Sequence, residues 1–141
     1  DNIDWDILAA ADAIIMGCPT YMGSASAPFK TFMDASSKAW SQQVWQGKLA
    51  AGFTNSGGLS GDKLAVLQQI HLFAMQHGML WVGMPLQPTG TSPEDLNRMG
   101  SYMGLMAQSD SAPVDITPPM GDLRTAEWFG EYVARTTLRL R

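Results

Sequence analysis

A chain of 141 residues, 45% hydrophobic and with a net charge of −4, is long enough for one compact core and has no basic stripe for a nucleic-acid backbone. Its single cysteine, Cys18, excludes an internal disulfide framework, and two histidines with that cysteine are too few for a zinc set. No apolar stretch approaches the roughly 20 residues that span a bilayer, and no secretory signal opens the chain, so a cytoplasmic location is expected. Asp4, Asp6 and Asp34 are spaced as caps and solvent-facing groups. With neither a G-x-S-x-G elbow nor a Walker loop in the sequence, hydrolase and kinase readings drop out.

In chain order, Asp4 is placed to cap a short helix over Trp5 to Ala11. Ala13, Ile14, Ile15 and Met16 then form an apolar run too short for a helix and without alternation, which reads as a strand covered on both faces and ending at Gly17. Pro19 biases Cys18 toward extended backbone. The small residues Gly23, Ser24, Ala25 and Ser26 let backbone approach a ligand before a helix from about Pro28 to Gln42, which turns Phe29, Phe32 and Met33 inward. A second strand, Leu49 to Phe53, leads into a glycine-rich stretch. The next helix, about Asp62 to Gln76, sets Leu64, Leu67, Ile70 and Ala74 along one stripe, with His71 packing beside it and Gly78 as a left-handed cap.

A third strand is expected from Met79 to Gly83. The stretch from Met84 to Gly121 holds six prolines and is too long for a simple connection; its Met99, Met103 and Met106 read as core material or as an apolar substrate wall. The last helix, about Asp122 to Leu140, repeats Leu123, Ala126, Gly130, Val133 and Leu140 on one side, with arginines at its carboxyl end to match the helix dipole. Strands alternating with helices in this way predict an α/β fold with a doubly wound parallel sheet. In such sheets ligands bind where a strand gives way to a polar glycine loop and a helix.

Three blocks carry a family likeness: G-C-P-T-Y-M-G from Gly17 to Gly23 with F-K-T-F-M-D from Phe29 to Asp34, then G-F-T-N-S-G-G-L-S-G from Gly52 to Gly61, then H-G-M from His77 to Met79. In order and spacing they resemble the flavodoxin-like FMN-dependent NAD(P)H:quinone oxidoreductases, the WrbA-like branch of the NADPH-dependent FMN reductase group. The resemblance implies a strand order of 2-1-3-4-5 in which the strand at Ala13 is the third. Residues 1–141 are then expected to be one flavodoxin-like domain, N-terminally incomplete, with two strands, a helix and the phosphate-gripping loop upstream.

The same resemblance implies FMN held by Pro19, Thr20, Tyr21, Met22 and Gly23 near its N5 and O4 edge. Thr54, Asn55, Ser56, Gly57, Gly58 and Gly61 are implied near the N1 and O2 edge. It implies His77 near the flavin, often from a neighbouring subunit, against the plain reading of a helix-end residue. Trp40 matches a tryptophan near the substrate face, with packing equally open to it. Tyr21 and Met22 stand where the family has Arg-Phe, and Gly100 to Ser109 departs from the family block there, so substrate preference does not carry over. The implied activity passes electrons from NADH or NADPH through FMN to a quinone or similar flat acceptor, without a catalytic side chain, in a homodimer or homotetramer. The alternative is a flavodoxin-type electron carrier acting with a protein partner. Only Asp62 is acidic close to the loops, which favours the enzyme, because carriers dock basic partners by charge.

Overall fold

The computed structural model describes residues 3–141. Their order is α1 (Trp5–Ala10), β1 (Ala13–Tyr21), β2 (Ser24–Ala25), α2 (Ala27–Ala35), α3 (Ser37–Ser41), β3 (Leu49–Ser56), α4 (Lys63–Gln76), β4 (Leu80–Trp81), β5 (Leu105–Gln108) and α5 (Met120–Arg139). β1 and β3 pair in parallel from Ala13↔Leu49 to Pro19↔Asn55. β4 and β5 lie end to end along the other edge of β3, both parallel to it, at Leu49↔Leu80 and from Phe53↔Leu105. The order β1, β3, β4/β5 is the one expected for the third, fourth and fifth strands of a doubly wound sheet.

Side chains alternate across the sheet and set the two cores. Ile14, Met16, Cys18 and Ala50 face α1, α2 and α4, where Val66, Ile70, Phe73 and Ala74 meet Trp45. Leu49, Ala51 and Leu105 face α5 through Phe129 and Val133. One expectation is corrected here. β1 is not covered on both faces, since Ile15 is 44% exposed and Phe53 of β3 42%. The physical reason is that α5 packs on that face against Leu49, Ala51 and Leu105 and meets β1 at its start, near Ala13, so Ile15 and Phe53 keep an open side among the described residues.

The expected helix over Pro28 to Gln42 is two helices. Ser36 breaks it by donating from Oγ to the Met33 carbonyl at 2.7 Å, the local bond with which serine competes against helix. α4 ends as its sequence foretells. Gly78, at φ +68°, donates to the Met75 carbonyl and Met79 donates to that of Ala74, which is a Schellman cap. The long stretch after β4 is not structureless. It leaves the sheet at Met84, whose amide bonds the Tyr102 carbonyl at 2.9 Å, and returns as β5. Gly104 permits that return, because a Cβ there would overlap the Gly52 carbonyl.

Candidate functional site

At its carboxyl end β1 folds back on β2 through a two-residue hairpin, pairing Tyr21 with Ser24. Met22 at φ 51° and Gly23 at φ 71° have the positive dihedrals such a tight turn needs. Tyr21 is 65% exposed and Met22 fully so, so both side chains project from the tip. Among the described residues the amides of Met22 and Gly23 donate no hydrogen bond. Thr20 and Thr54 differ from this. Both are buried, and their hydroxyls lie 2.7 Å apart. Thr54 Oγ1 gives its one proton to the Cys18 carbonyl, so Thr20 donates to Thr54. This pair braces the top of β1 against β3.

The loop after β3 is held by its oxygens. The Ser56 carbonyl accepts from the Ser109 amide at 3.0 Å and the Gly57 carbonyl from Gln108 Nε2 at 2.8 Å. The Gly58 carbonyl accepts from Ser56 Oγ at 2.9 Å and Lys63 Nζ at 2.7 Å, Leu59 from Lys63 Nζ at 2.8 Å, and Ser60 from the Lys63 amide at 3.1 Å. Every carbonyl from Ser56 to Ser60 is thus engaged. None of the amides from Gly57 to Gly61 donates a hydrogen bond among the described residues. In a trans peptide each N–H points opposite the preceding carbonyl, so five fixed carbonyls turn five N–H groups away from their anchors. Asn55 completes the brace by bonding Ser109 Oγ at 3.0 Å.

The glycines of this loop are not demanded by packing. A Cβ at Gly57 would meet only the Ser109 carbonyl, at 3.8 Å, and one at Gly58 only the Gly61 backbone, at 3.6 Å. Gly61, at φ +55°, is different and needs its left-handed conformation. On the side away from β1 the loop borders a cleft of about 740 Å³, where Leu59, Ser60 and Leu64 face Met99 and Met106. Met103 is not part of that wall, and its carbonyl accepts from Trp81 Nε1. Arg98 reaches the cleft but is committed to Asp122 through Nε at 2.7 Å and Nη2 at 3.0 Å.

Two predicted residues are not brought to these loops within one chain. His77 caps the carboxyl end of α4, while the glycine loop sits at its amino end, about 20 Å away over 14 residues at 1.5 Å each. The imidazole is 1% exposed, stacked on Trp45 with centroids 4.1 Å apart and edge-on to Phe73. Within one chain it is thus packed in the core, and burial pushes its pKa below the usual value. Trp40, 46% exposed on α3, lies at the same distal end, its carbonyl bonded by Gln43, which also reaches the Gln76 carbonyl. Conversely, Lys63, Gln108 and Ser109 hold the loop and were missed. Lys63 had a signal: a cation in the first helical turn opposes the dipole and calls for a reason.

Parallel strands between helical layers, with two loops of outward amides at the carboxyl ends of β1 and β3, define a flavodoxin-like α/β domain. The chain belongs to the NADPH-dependent FMN reductase family, whose model matches residues 6–87. That description carries the family's cofactor, FMN, its donor and its oxidoreductase class. The chain is 43% identical over 134 residues to flavodoxin FldP of Pseudomonas aeruginosa (strain UCBPP-PA14), an alignment covering 93% of this chain and 73% of that protein. It is 32% identical over 136 residues to an NAD(P)H dehydrogenase (quinone) of Syntrophobacter fumaroxidans, covering 96% of this chain and 66% of that one. Among solved structures, the flavodoxin, WrbA-like protein from Agrobacterium tumefaciens superposes with a TM-score of 0.76 at 44% identity, covering 97% of this chain and 73% of that one. No helix among the described residues is long and apolar enough to cross a membrane.

Proposed function

We propose that the protein holds FMN across the carboxyl ends of β1 and β3 and passes electrons from NADH or NADPH to a quinone or similar flat acceptor. The observation that carries this reading is the loop from Ser56 to Gly61, with every carbonyl from Ser56 to Ser60 anchored and the amides of Gly57 to Gly61 free. A flavin ring needs donors for its pyrimidine carbonyls and nitrogens, one open face, and little else from the protein. The donor set fits. Met22 and Gly23 offer amides on one side and the second loop offers a row on the other, while Gly57 and Gly58 leave the space before that row free of side chains.

In this reading Pro19, the last residue of β1 paired with β3, brings no competing N–H, and the Thr20–Thr54 pair keeps the two loops in fixed relation. Asn55 and Ser56 anchor the second loop, and exposed Tyr21 and Met22 supply apolar cover at the first. FMN, when bound, supplies the capacity to take up a hydride and give it to an acceptor. The chain stabilises charge at the polar edge through preorganised amides and supplies no acid–base pair. The Met99 and Met106 wall offers an apolar face to a flat acceptor next to the loop. Trp40, too distant to reach its own chain's loops, contributes through a second copy of the chain in a homodimer or homotetramer.

Initial rates with varied NADPH and varied benzoquinone test the reading. One shared face requires ping-pong exchange and parallel double-reciprocal lines, and intersecting lines count against it. A second reading, a flavodoxin-type carrier serving a protein partner, draws support from the 43% identity to a protein named flavodoxin. It requires bound FMN that NADPH and NADH leave oxidised.

A further inference from the structure

We propose that Lys63 is a positioning residue that turns the amides of the second loop outward and, through them, favours the reduced, negatively charged form of the bound flavin. The inference rests on FMN binding at that loop. Lys63 is wholly buried, yet its Nζ lies 2.7 Å from Ser56 Oγ, 2.7 Å from the Gly58 carbonyl and 2.8 Å from the Leu59 carbonyl. Ser56 Oγ gives its own proton to the Gly58 carbonyl, so all three contacts need protons from Lys63. A neutral amine has two, an ammonium three, and the geometry is that of the cation. Burial pulls its pKa down, the Asp122 carboxylate offsets this, and the Arg98 guanidinium adds to the fall.

A buried charge in the first turn of a helix is a costly clamp, since it is desolvated and opposes the dipole. A neutral donor would hold a carbonyl with less penalty. What the cation adds is polarity. Bonded to the carbonyls of Gly58 and Leu59, it polarises those two peptides and strengthens the N–H groups of Leu59 and Ser60 on their far sides. Two electrons and one proton from a nicotinamide leave a neutral isoalloxazine with one negative charge, centred on its N1 and O2 edge. Fixed, strengthened donors beside that edge bind the reduced form more tightly than the oxidised one.

The test compares the intact wild-type protein with Lys63→Met, measuring the affinity for oxidised FMN and the two-electron potential of the bound flavin. The expected result is about a tenfold greater loss of affinity for reduced than for oxidised FMN, which is a fall of about 30 mV in potential. Equal losses for both forms, with an unchanged potential, would make Lys63 a mere structural clamp and overturn the inference. If Lys63→Met does not fold, Lys63→Gln, which keeps a donor and removes the charge, is measured in its place. A fall in the flavin potential with that variant supports the role, and an unchanged potential overturns it. A wild-type protein that retains no FMN removes the binding site and the role of Lys63 together, whereas wild-type binding with an unchanged variant potential removes only the role of Lys63.

Discussion

Replacing Arg98 with Met should destabilise the fold by about 3–5 kcal/mol, the cost of breaking a buried ion pair and stranding its partner. The side chains of Arg98 and Asp122 are 6% and 2% exposed. Asp122 accepts from Arg98 Nε at 2.7 Å, from Nη2 at 3.0 Å and from the Gln108 amide at 2.9 Å. Without the guanidinium a buried carboxylate keeps one backbone donor. The pair also joins three pieces of chain: the 84–104 excursion, β5 and the first turn of α5. Urea unfolding reads the loss directly, and at about 1–3 kcal/mol per molar the midpoint should fall by 1 M or more. Arg98→Met combined with Asp122→Leu should cost less than Arg98→Met alone, because no charge remains stranded. Lys30→Met supplies the contrast: its pair with Asp34 is 61% and 69% exposed and should matter by under about 1 kcal/mol. An Arg98→Met variant within about 1 kcal/mol of wild type, or a double variant costing the sum of its parts, would refute the reasoning.

His77 makes stability depend on pH. Ser36 spends its proton on Met33, so His77 Nε2 carries the proton in their 3.0 Å bond and the buried Nδ1 has no partner. Between the lowered folded pKa and the ordinary value near 6.5, the unfolded chain binds a proton that the fold refuses. Stability should therefore fall as pH drops through that window, with a slope of up to about 1.4 kcal/mol per pH unit, and denaturation of His77→Gln at pH 7 and pH 5 should show that slope removed. Gly57→Leu should fold with near-native stability, since its Cβ has room, but lose FMN; a normal flavin absorbance after purification would take Gly57 out of the site. Gly104→Ala drives a methyl into the Gly52 carbonyl and Leu67, and thermal unfolding should show a loss of about 1–3 kcal/mol.

Much of the fold was legible because local signals agreed. The apolar run at Ala13, the stripe on α4 at Leu67, Ile70 and Ala74 but not the exposed Leu64, Gly78 after it and Asp4 before α1 each report short-range geometry, and Asp4 does accept from the Ile7 amide at 3.1 Å. Ser36 was harder: its break in the helix comes from a side chain serving Met33 and His77 at once, a contact 41 residues distant. β5 was hidden because Leu105 to Gln108 becomes a strand only by joining the edge of β3 left free beyond β4. For the site, the glycine pattern located the loops. It did not show which residues also brace the strands, as Thr20 and Thr54 do through their bonded hydroxyls. His77 lies apart from its own chain's loops because a motif fixes order along the chain, whereas a 14-residue helix sets its two ends on opposite sides of the domain. Lys63 is invisible to motif reading, since its role depends on three oxygens gathered by tertiary folding.

The most direct measurement is an anaerobic visible spectrum of the intact protein loaded with FMN, taken before and after NADPH or NADH and again after benzoquinone. The account predicts that the flavin bands bleach with nicotinamide and return rapidly with quinone. Bound flavin that neither nicotinamide reduces would contradict the reductase and leave the carrier, and a protein that binds no flavin would contradict both.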